Sequence, residues 1–210
     1  MTVQTVQKMD RKPRTQARRR QETTAALMTA TLGLLTETGY AALTMADVAE
    51  RAGVSRGALN HYYPTKEQLV IAAARHAMEV EMQAIEDASP GRLPLAETAA
   101  AFFDASKRFY LARGFVAQIE LVFAARHDPR VGDEFFPLIA EYRRLFDTTW
   151  RSALARAGMT DTAAGDLVDM TTFMMRGMGL LVAHEARRAA IEERLGTMRS
   201  RLKQLFAIGQ

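Results

Sequence analysis

The chain has 210 residues and no cysteine, and its 28 Lys and Arg exceed its 24 Asp and Glu by four. The absence of cysteine excludes a disulfide scaffold, a thiol nucleophile and a cysteine-ligated zinc site. No stretch approaches the roughly 18 uncharged apolar residues that indicate a membrane-spanning helix, and the composition is typical of soluble globular proteins.

Positive charge is concentrated at the N-terminal end of the chain. Residues 1–66 contain ten Lys and Arg against five Asp and Glu, whereas residues 67–210 contain eighteen against nineteen. This asymmetry favours a polyanion-binding head on a nearly neutral body. A solvated basic tail is the alternative that charge alone leaves open.

The first predicted elements are a flexible arm and one long helix. Residues 1–14 contain few apolar side chains and a helix-breaking proline, Pro13. Apolar residues then recur at helical spacing from about Gln16 to Glu37, and Gly39 is suited to a left-handed helix end. Because no secretory cleavage site follows, we expect an amphipathic helix in a cytoplasmic protein rather than a signal peptide.

Two short helices are predicted next. The second helix starts after Thr44, with Asp47 as the reciprocal capping residue, and closes at Gly53. The third helix is capped by Ser55 and stopped by Pro64. The three helices together make a head over residues 15–66.

The rest of the chain, residues 67–210, is predicted to be a helical body. A fourth helix is capped by Thr65 with Gln68 at the capping-box position, and Ser89-Pro90-Gly91 is the clearest break after it. Strand patterns are nearly absent, so we predict an all-α fold with two domains. Long helical patterns follow near residues 94–112, 114–126, 130–158, 161–183 and 185–207.

The segment from Thr44 to Tyr63, TMADVAERAGVSRGALNHYY, has the pattern of a helix-turn-helix motif. It combines two short helices, a tight glycine-bearing turn and small residues where the helices cross. Its second helix keeps a free polar face whose side chains can donate to base edges or phosphates. That face carries Arg56, Asn60, His61 and Tyr62.

Over Thr38 to Val70 the sequence resembles the TetR (tetracycline repressor) family of bacterial transcription regulators. The resemblance implies a helical ligand-binding and dimerisation domain in the remainder of the chain. It also implies a DNA-binding regulator rather than an enzyme, and we expect no cofactor. The matching positions are Gly39-Tyr40, Thr44, Ala49, Ala52-Gly53-Val54-Ser55, Gly57, Leu59, Tyr62-Tyr63, Lys66, Glu67 and Leu69.

The resemblance implies DNA contacts for nine residues. Arg56 is the expected base reader, since its guanidinium matches guanine O6 and N7. Gly57 and Ala58 allow the backbone to approach the groove, while several of the remaining polar groups suit phosphates. Asn60 stands where the family usually has Tyr, and it could read adenine directly or lose a phosphate contact. The nine are Thr44, Ser55, Arg56, Gly57, Ala58, Asn60, His61, Tyr62 and Lys66.

The basic residues near the N-terminal end, from Lys8 to Arg20, have two alternative roles. They could reach an adjacent minor groove, or form a solvated tail that adds non-specific affinity. We expect phosphate contacts from Arg18, Arg19 and Arg20, and a tail role for Lys8. The full set is Lys8, Arg11, Lys12, Arg14, Arg18, Arg19 and Arg20.

All ten Phe and the single Trp follow residue 100. Such aromatic and Met stripes are most simply a core, but they can also enclose an apolar effector pocket, which the family resemblance favours, between the fifth and eighth helices. Gln118, Thr172 and Arg176 are candidate polar anchors, and Arg176 indicates an acidic or carbonyl-bearing effector unless it pairs with Asp169. The predicted pocket comprises Phe102, Phe103, Tyr110, Phe115, Gln118, Ile119, Phe123, Tyr142, Phe146, Trp150, Met170, Phe173, Met174 and Arg176.

The last two helices have the pattern of an interface. Apolar residues of the final helix are spaced four, three, four and three, as in a packing seam, and the helix before it is apolar on nearly all sides. The resemblance favours pairing of these two helices with their copies in a two-fold dimer, rather than burial of the two helices within one chain. The predicted dimer interface comprises Met175, Gly179, Val182, Ile191, Leu195, Met198, Leu202 and Leu205.

The combined expectation is a homodimeric repressor that binds a near-palindromic operator in double-stranded DNA and is released by a small apolar effector. The alternative is a regulator without an effector, either constitutive or controlled by a protein partner. A helical enzyme is not expected, because His76, His127 and His184 lack metal-ligand spacing and no phosphate loop or nucleophile elbow is present.

Overall fold

A computed structural model describes residues 16–88, 93–182 and 185–207 of the chain. Every element within these ranges is an α-helix, which confirms the predicted all-α fold. The basic arm, the Ser89-Pro90-Gly91 break and His184 lie outside the described residues. The helices are α1 (Gln16–Ala42), α2 (Met45–Ala52), α3 (Arg56–Tyr62), α4 (Lys66–Ala88), α5 (Leu95–Tyr110), α6 (Arg113–His127), α7 (Pro129–Arg156), α8 (Asp161–Val182) and α9 (Glu185–Ala207).

Hydroxyl side chains begin both helices of the helix-turn-helix motif, as predicted. The Thr44 hydroxyl accepts a hydrogen bond from the Asp47 amide at 3.2 Å and donates to the Asp47 carboxylate at 2.6 Å. The Ser55 hydroxyl accepts from the Ala58 amide at 3.1 Å. Gly53 ends α2 in the left-handed region with φ of 66°, so the chain turns at once into α3.

The break predicted at Gly39 is present, but the helix resumes after it. Gly39 has φ of 79° and ψ of 169°, a combination essentially restricted to glycine. The Leu43 amide donates to the Gly39 carbonyl at 3.3 Å and closes one further turn, so α1 ends at Ala42. The predicted end near Glu37 was therefore one turn short, because a glycine kink interrupts a helix without obliging it to stop.

One hydrophobic core runs from the head into the body through α1, α4 and α6. Helix α1 contributes Leu27 and Leu35, both 0% exposed, and α6 contributes the equally buried Leu121. The short helices α2 and α3 are attached to the same core through Val48 and Leu59. The helix-turn-helix motif thus packs on a core that it shares with the body.

A second core, formed by α5, α7 and α8, fills the far end of the body. The Phe102 ring lies 5.4 Å from the Trp150 ring and 6.1 Å from the Phe146 ring, measured between centroids. Helix α9 is held on α5 by ion pairs: Arg199 binds both carboxylate oxygens of Asp104, at 2.6 to 2.8 Å. Within the described ranges no helix is both long and apolar enough to cross a membrane.

The backbone geometry at Gly39 predicts that replacing this glycine by a residue with a Cβ destabilises the protein. A Cβ at this position would lie 2.8 Å from Glu120 Oε2, in addition to the unfavourable φ. Gly39→Ala should lower the free energy of unfolding by about 1–3 kcal/mol, measured by urea denaturation at one fixed protein concentration. Gly114→Ala is the matched control, since nothing lies within 4 Å of its Cβ position, and it should be neutral or slightly stabilising. Equal effects of the two substitutions would contradict this account.

Candidate functional site

The outer face of α3 is polar and open to solvent. Arg56, Gly57, Asn60 and His61 are exposed, whereas Leu59 is 0% exposed and anchors the helix to the core. A helix of seven residues cannot be stable alone, so this single buried leucine and the Ser55 cap determine which way the polar side chains point. The arrangement presents donors outwards on a helix narrow enough for a major groove.

Two of the predicted residues are only half-buried at the edge of this face. Tyr62 is one of them, and its ring lies 5.8 Å from the His61 ring in an edge-to-face arrangement. The Arg20 guanidinium lies 6.0 Å from the centroid of the Tyr62 ring. Ala58 is the other half-buried residue, and its small side chain leaves the backbone accessible.

A polar cleft of about 320 Å³ lies between the start of α1 and the end of α3. Arg19 and Arg20 bring two guanidinium groups to it, while Arg18 is paired with Glu22 at 3.1 Å. A cleft with two cations beside an exposed recognition helix has the charge and polarity that a phosphate backbone requires. Its walls are Gln16, Arg19, Arg20, Thr23, His61 and Tyr62.

The ammonium group of Lys66, another predicted DNA contact, has partners inside the chain. Its Nζ donates to the Tyr40 carbonyl at 2.5 Å and lies 4.2 Å from the centroid of the Tyr40 ring. The side chain is half-buried, and this burial lowers the pKa of the Lys66 ammonium. The geometry therefore assigns the ammonium to the packing of α1 against the start of α4.

Lys66 belongs to a set of polar contacts at the junction of head and body, which we call the junction clamp: Tyr40, Lys66, Glu67, Glu120 and Arg130. Glu120 of α6 accepts a hydrogen bond from the Tyr40 amide at 3.3 Å. Arg130 of α7 pairs with Glu67 of α4 at 3.1 Å. The clamp thus joins the last turn of α1 and the first turn of α4 to two helices of the body.

A cavity of about 270 Å³ lies between α1, α4, the end of α5 and α6. Of the predicted effector-pocket residues, Phe115 and Gln118 are in its wall. Burial raises the pKa of Glu81, with the Arg108 charge acting in the opposite direction. The walls are Thr29, Leu32, Ala74, His76, Ala77, Met78, Val80, Glu81, Phe109, Ala112, Gly114, Phe115, Ala117, Gln118 and Leu121.

The structure does not bring the remaining predicted pocket residues together. Phe102, Phe146 and Trp150 pack against one another in the second core, whereas Phe103, Tyr110, Ile119, Tyr142 and Met174 belong to or pack on the first. Phe123, Met170 and Phe173 are 54%, 72% and 64% exposed, so they form part of the molecular surface. Sequence reasoning missed the contribution of α1 and α4, since Leu32 and Met78 have the same helical spacing as ordinary core residues.

Arg176 and Asp169 do not pair. The Asp169 carboxylate instead binds Arg143 at 3.3 Å and Arg151 at 2.9 Å. The Arg176 guanidinium lies 5.9 Å from the centroid of the Tyr110 ring, and this residue is not in the wall of the cavity.

Several polar atoms inside the body have no hydrogen-bond partner among the described residues. They include Ser106 Oγ, Tyr142 Oη, Trp150 Nε1 and Thr172 Oγ1. Burial is the largest cause that raises the pKa of the Tyr142 hydroxyl above its ordinary value. Buried polar atoms are normally paired, so these four atoms are exceptions within the described residues.

The predicted interface residues divide into two groups. Met175, Gly179, Ile191 and Leu195 are buried within the chain, and the Tyr110 carbonyl lies against Gly179. The second group lies at the surface: Met198 and Leu205 are 36% and 67% exposed, and Leu202 is half-buried. The side chain of Val182 lies outside the described residues. Helix α8 adds an apolar surface that the prediction had not included, made of Met170, Phe173, Leu180 and Leu181.

The position of Lys66 predicts a structural role that stability measurements can detect. Lys66→Met keeps most of the aliphatic stem but removes the bond to Tyr40 and the cation–π contact, so it should lower the free energy of unfolding by about 1–2 kcal/mol. Lys107→Met is the control, because Lys107 has no ion pair in the described part of the chain. Unchanged stability of Lys66→Met in urea denaturation would contradict the assignment.

Comparison with known proteins places this geometry in a family. Residues 27–73 match the model for bacterial regulatory proteins of the tetR family. The chain is 32% identical over 176 residues to the HTH-type transcriptional regulator CymR of Pseudomonas putida, covering 82% of this chain and 85% of that protein.

Solved structures that share the fold include two with bound ligands. A putative transcriptional regulator from Saccharomonospora viridis in complex with choline has a TM-score of 0.66 at 14% identity, covering 88% of this chain and 95% of that one. The transcriptional regulator FadR from Bacillus subtilis in complex with stearoyl-CoA has a TM-score of 0.59 at 14% identity, covering 87% and 96%. The likeness to CymR, which extends over most of both chains, shows that this chain belongs to the TetR family and is a DNA-binding transcriptional regulator rather than an enzyme.

Proposed function

We propose that this regulator is a homodimeric repressor that a small, largely apolar effector releases from its operator. The head, residues 15–66, reads the DNA, and the body, residues 67–210, pairs the two copies and binds the effector. The observation that carries the proposal is the shared core, since the same α1 and α6 that support the recognition motif also form the walls of a ligand-sized cavity.

In the proposed complex α3 enters a major groove of the operator. Arg56 is exposed and has no ion pair in the described part of the chain, so its guanidinium is available for guanine. The small residues Gly57 and Ala58 let the helix backbone come close to the base edges. Asn60, also exposed, either reads adenine directly or loses a phosphate contact.

Phosphate contacts are proposed on both sides of α3. His61, Tyr62 and the cleft arginines flank one end, while the hydroxyl-capped helix starts at Thr44 and Ser55 direct backbone amides outwards at the other. Lys66 contributes by fixing the first turn of α4, whose amides also suit a phosphate. These contacts position the protein, and the base contacts supply sequence selectivity.

The apolar surface of α8 and α9 supports a two-fold dimer. Large neighbouring apolar side chains that remain exposed indicate an interaction surface. Pairing α8 and α9 with their copies would cover Phe173 and Leu205, which are 64% and 67% exposed. A two-fold pair would hold its two recognition helices about one helical turn of DNA, roughly 34 Å, apart for successive major grooves.

The effector is proposed to act through the junction clamp. Helices α1 and α6 line the cavity and are linked by the Tyr40–Glu120 hydrogen bond, so a ligand that separates them strains that bond. A ligand can shift the head only if it binds the released conformation more tightly. The solved regulators that hold choline and stearoyl-CoA support ligand binding by bodies of this fold.

A partner-controlled regulator without an effector is the second candidate. The observation that favours it is the packing of Phe102, Phe146 and Trp150, which fill much of the interior predicted to be a pocket. A thermal-shift screen distinguishes the two, because an effector that binds the native dimer raises its melting temperature by mass action. A hit that also releases the operator supports the repressor, and a protein partner that alone releases it supports the alternative.

The base-reading role predicts a defined loss on substitution. Arg56→Ala should weaken binding to an operator selected from upstream DNA by about 1–3 kcal/mol, roughly 5- to 150-fold in Kd, and should relax selectivity at one base pair. Arg75→Ala, which removes an exposed arginine from α4, should leave the affinity unchanged. Fluorescence anisotropy on the selected site and its single-base variants measures both. Wild-type selectivity in Arg56→Ala would refute the assignment.

The dimer surface predicts a change in assembly. Phe173→Asp places two charges in each two-fold interface, so sedimentation should show monomers at concentrations where the wild type is dimeric. Operator affinity should fall with it, because one head alone contacts one half-site. Phe136→Asp, at another exposed aromatic on α7, is the control and should remain dimeric. Dimers of Phe173→Asp would place the interface elsewhere.

A further inference from the structure

The cavity between α1, α4 and α6 has mostly apolar walls but contains one carboxylate. Aliphatic and aromatic side chains such as Leu32, Met78 and Leu121 form most of its surface. Glu81 of α4 is the single acidic residue in this wall, where it is half-buried. A carboxylate placed in an apolar site loses hydration, so it needs a positive or hydrogen-bond-donating partner.

The protein does not provide that partner in the part of the chain that the structure describes. Glu81 forms no ion pair within 4.0 Å and no hydrogen bond there. Burial raises the pKa of Glu81, and the charge of Arg108 acts in the opposite direction, but Arg108 is exposed and does not reach ion-pair distance. The remaining polar groups in the wall are the side chains of Thr29, His76 and Gln118. Among the described side chains, no cation in contact compensates the Glu81 carboxylate at the cavity.

Two aromatic rings accompany this carboxylate in the wall. Phe109 and Phe115 are 9% and 2% exposed, and their centroids are 6.3 Å apart in an edge-to-face arrangement. The faces of aromatic rings attract ammonium groups, more strongly where water is excluded. A carboxylate and two rings in one cavity combine the charge and the polarisable surface that organic cations require.

We propose that the cavity binds a small organic ammonium compound, with its positive nitrogen at Glu81 and its apolar part against Phe109, Phe115 and Met78. This inference rests on the proposed effector response and specifies the chemical class of the effector. A volume of about 270 Å³ limits the ligand to a compact amine rather than a long-chain lipid. Anionic compounds are disfavoured, because Glu81 repels them and Arg176 lies outside the wall.

Calorimetric titration of the full-length dimer with matched probes tests this assignment. The probes are 2-phenylethylammonium and benzyltrimethylammonium as cations, 2-phenylethanol as the neutral counterpart and phenylacetate as the anion. We expect the wild type to bind at least one cation about tenfold more tightly than the alcohol, and phenylacetate more weakly than either. Absence of cation binding, or equal affinity for the cation and the anion, would overturn the proposal.

Substitution of the carboxylate provides the second arm. Glu81→Gln should bring the affinities for the cation and the alcohol to within about threefold of each other, because the amide keeps the shape but removes the charge. Glu79→Gln, an exposed glutamate on the same helix and outside this wall, should retain the wild-type preference. Undiminished cation preference in Glu81→Gln would place the site elsewhere. Circular dichroism confirms that both variants are folded.

The operator complex separates this proposal from the proposed function. Release of DNA by a bound cation supports both. A cation that binds through Glu81 without releasing DNA supports the site but contradicts the effector role. Release by a neutral or anionic compound, with no cation bound, supports the repressor and overturns the ammonium assignment.

Discussion

The packing of α1 against both α4 and α6 is the constraint on which the other features depend. Leu27 and Leu35 of this one helix are buried in a core that extends from the recognition motif into the body. Because interiors are close-packed, α1 cannot move relative to α6 without disturbing the base of α3. The junction clamp adds directional contacts to this packing: Glu120 holds the Tyr40 amide, and Lys66 holds the Tyr40 carbonyl. The helix-turn-helix motif and the cavity wall therefore share one helix, α1.

The features that could be predicted from sequence are those determined by local chemistry. Thr44 and Ser55 begin their helices as predicted, because a capping hydroxyl needs only an amide three residues away. The exposed face of α3 followed from the same local pattern, since Leu59 alone had to be buried. The extent of α1 was predicted less well, because the turn after Gly39 is stabilised by contact with Glu120, eighty positions away in the chain.

Tertiary contacts account for what the sequence left undetermined in the body. Phe102 and Phe173 both lie in apolar helical stripes, yet the first is 0% and the second 64% exposed. Helical spacing identifies a face but does not say whether that face meets the interior, a cavity or another molecule. The cavity could not be located from the sequence for the same reason: its walls come from segments far apart in the chain, including α1, whose apolar residues had been attributed entirely to the head.

At Gly179, helix α8 comes very close to the end of α5 and the start of α6. The Tyr110 carbonyl and the Phe115 ring occupy the space where any larger residue would place its Cβ, so α8 meets the α5–α6 turn without an intervening side chain. Such a close contact between backbones leaves α8 little freedom to slide past the turn between α5 and α6. Phe115 also forms part of the cavity wall, whereas Phe173 and Leu180 of α8 are exposed. In the proposed dimer, a displacement that begins beside the cavity would reach the pairing surface through this contact and alter the spacing between the two heads as well as the tilt of each.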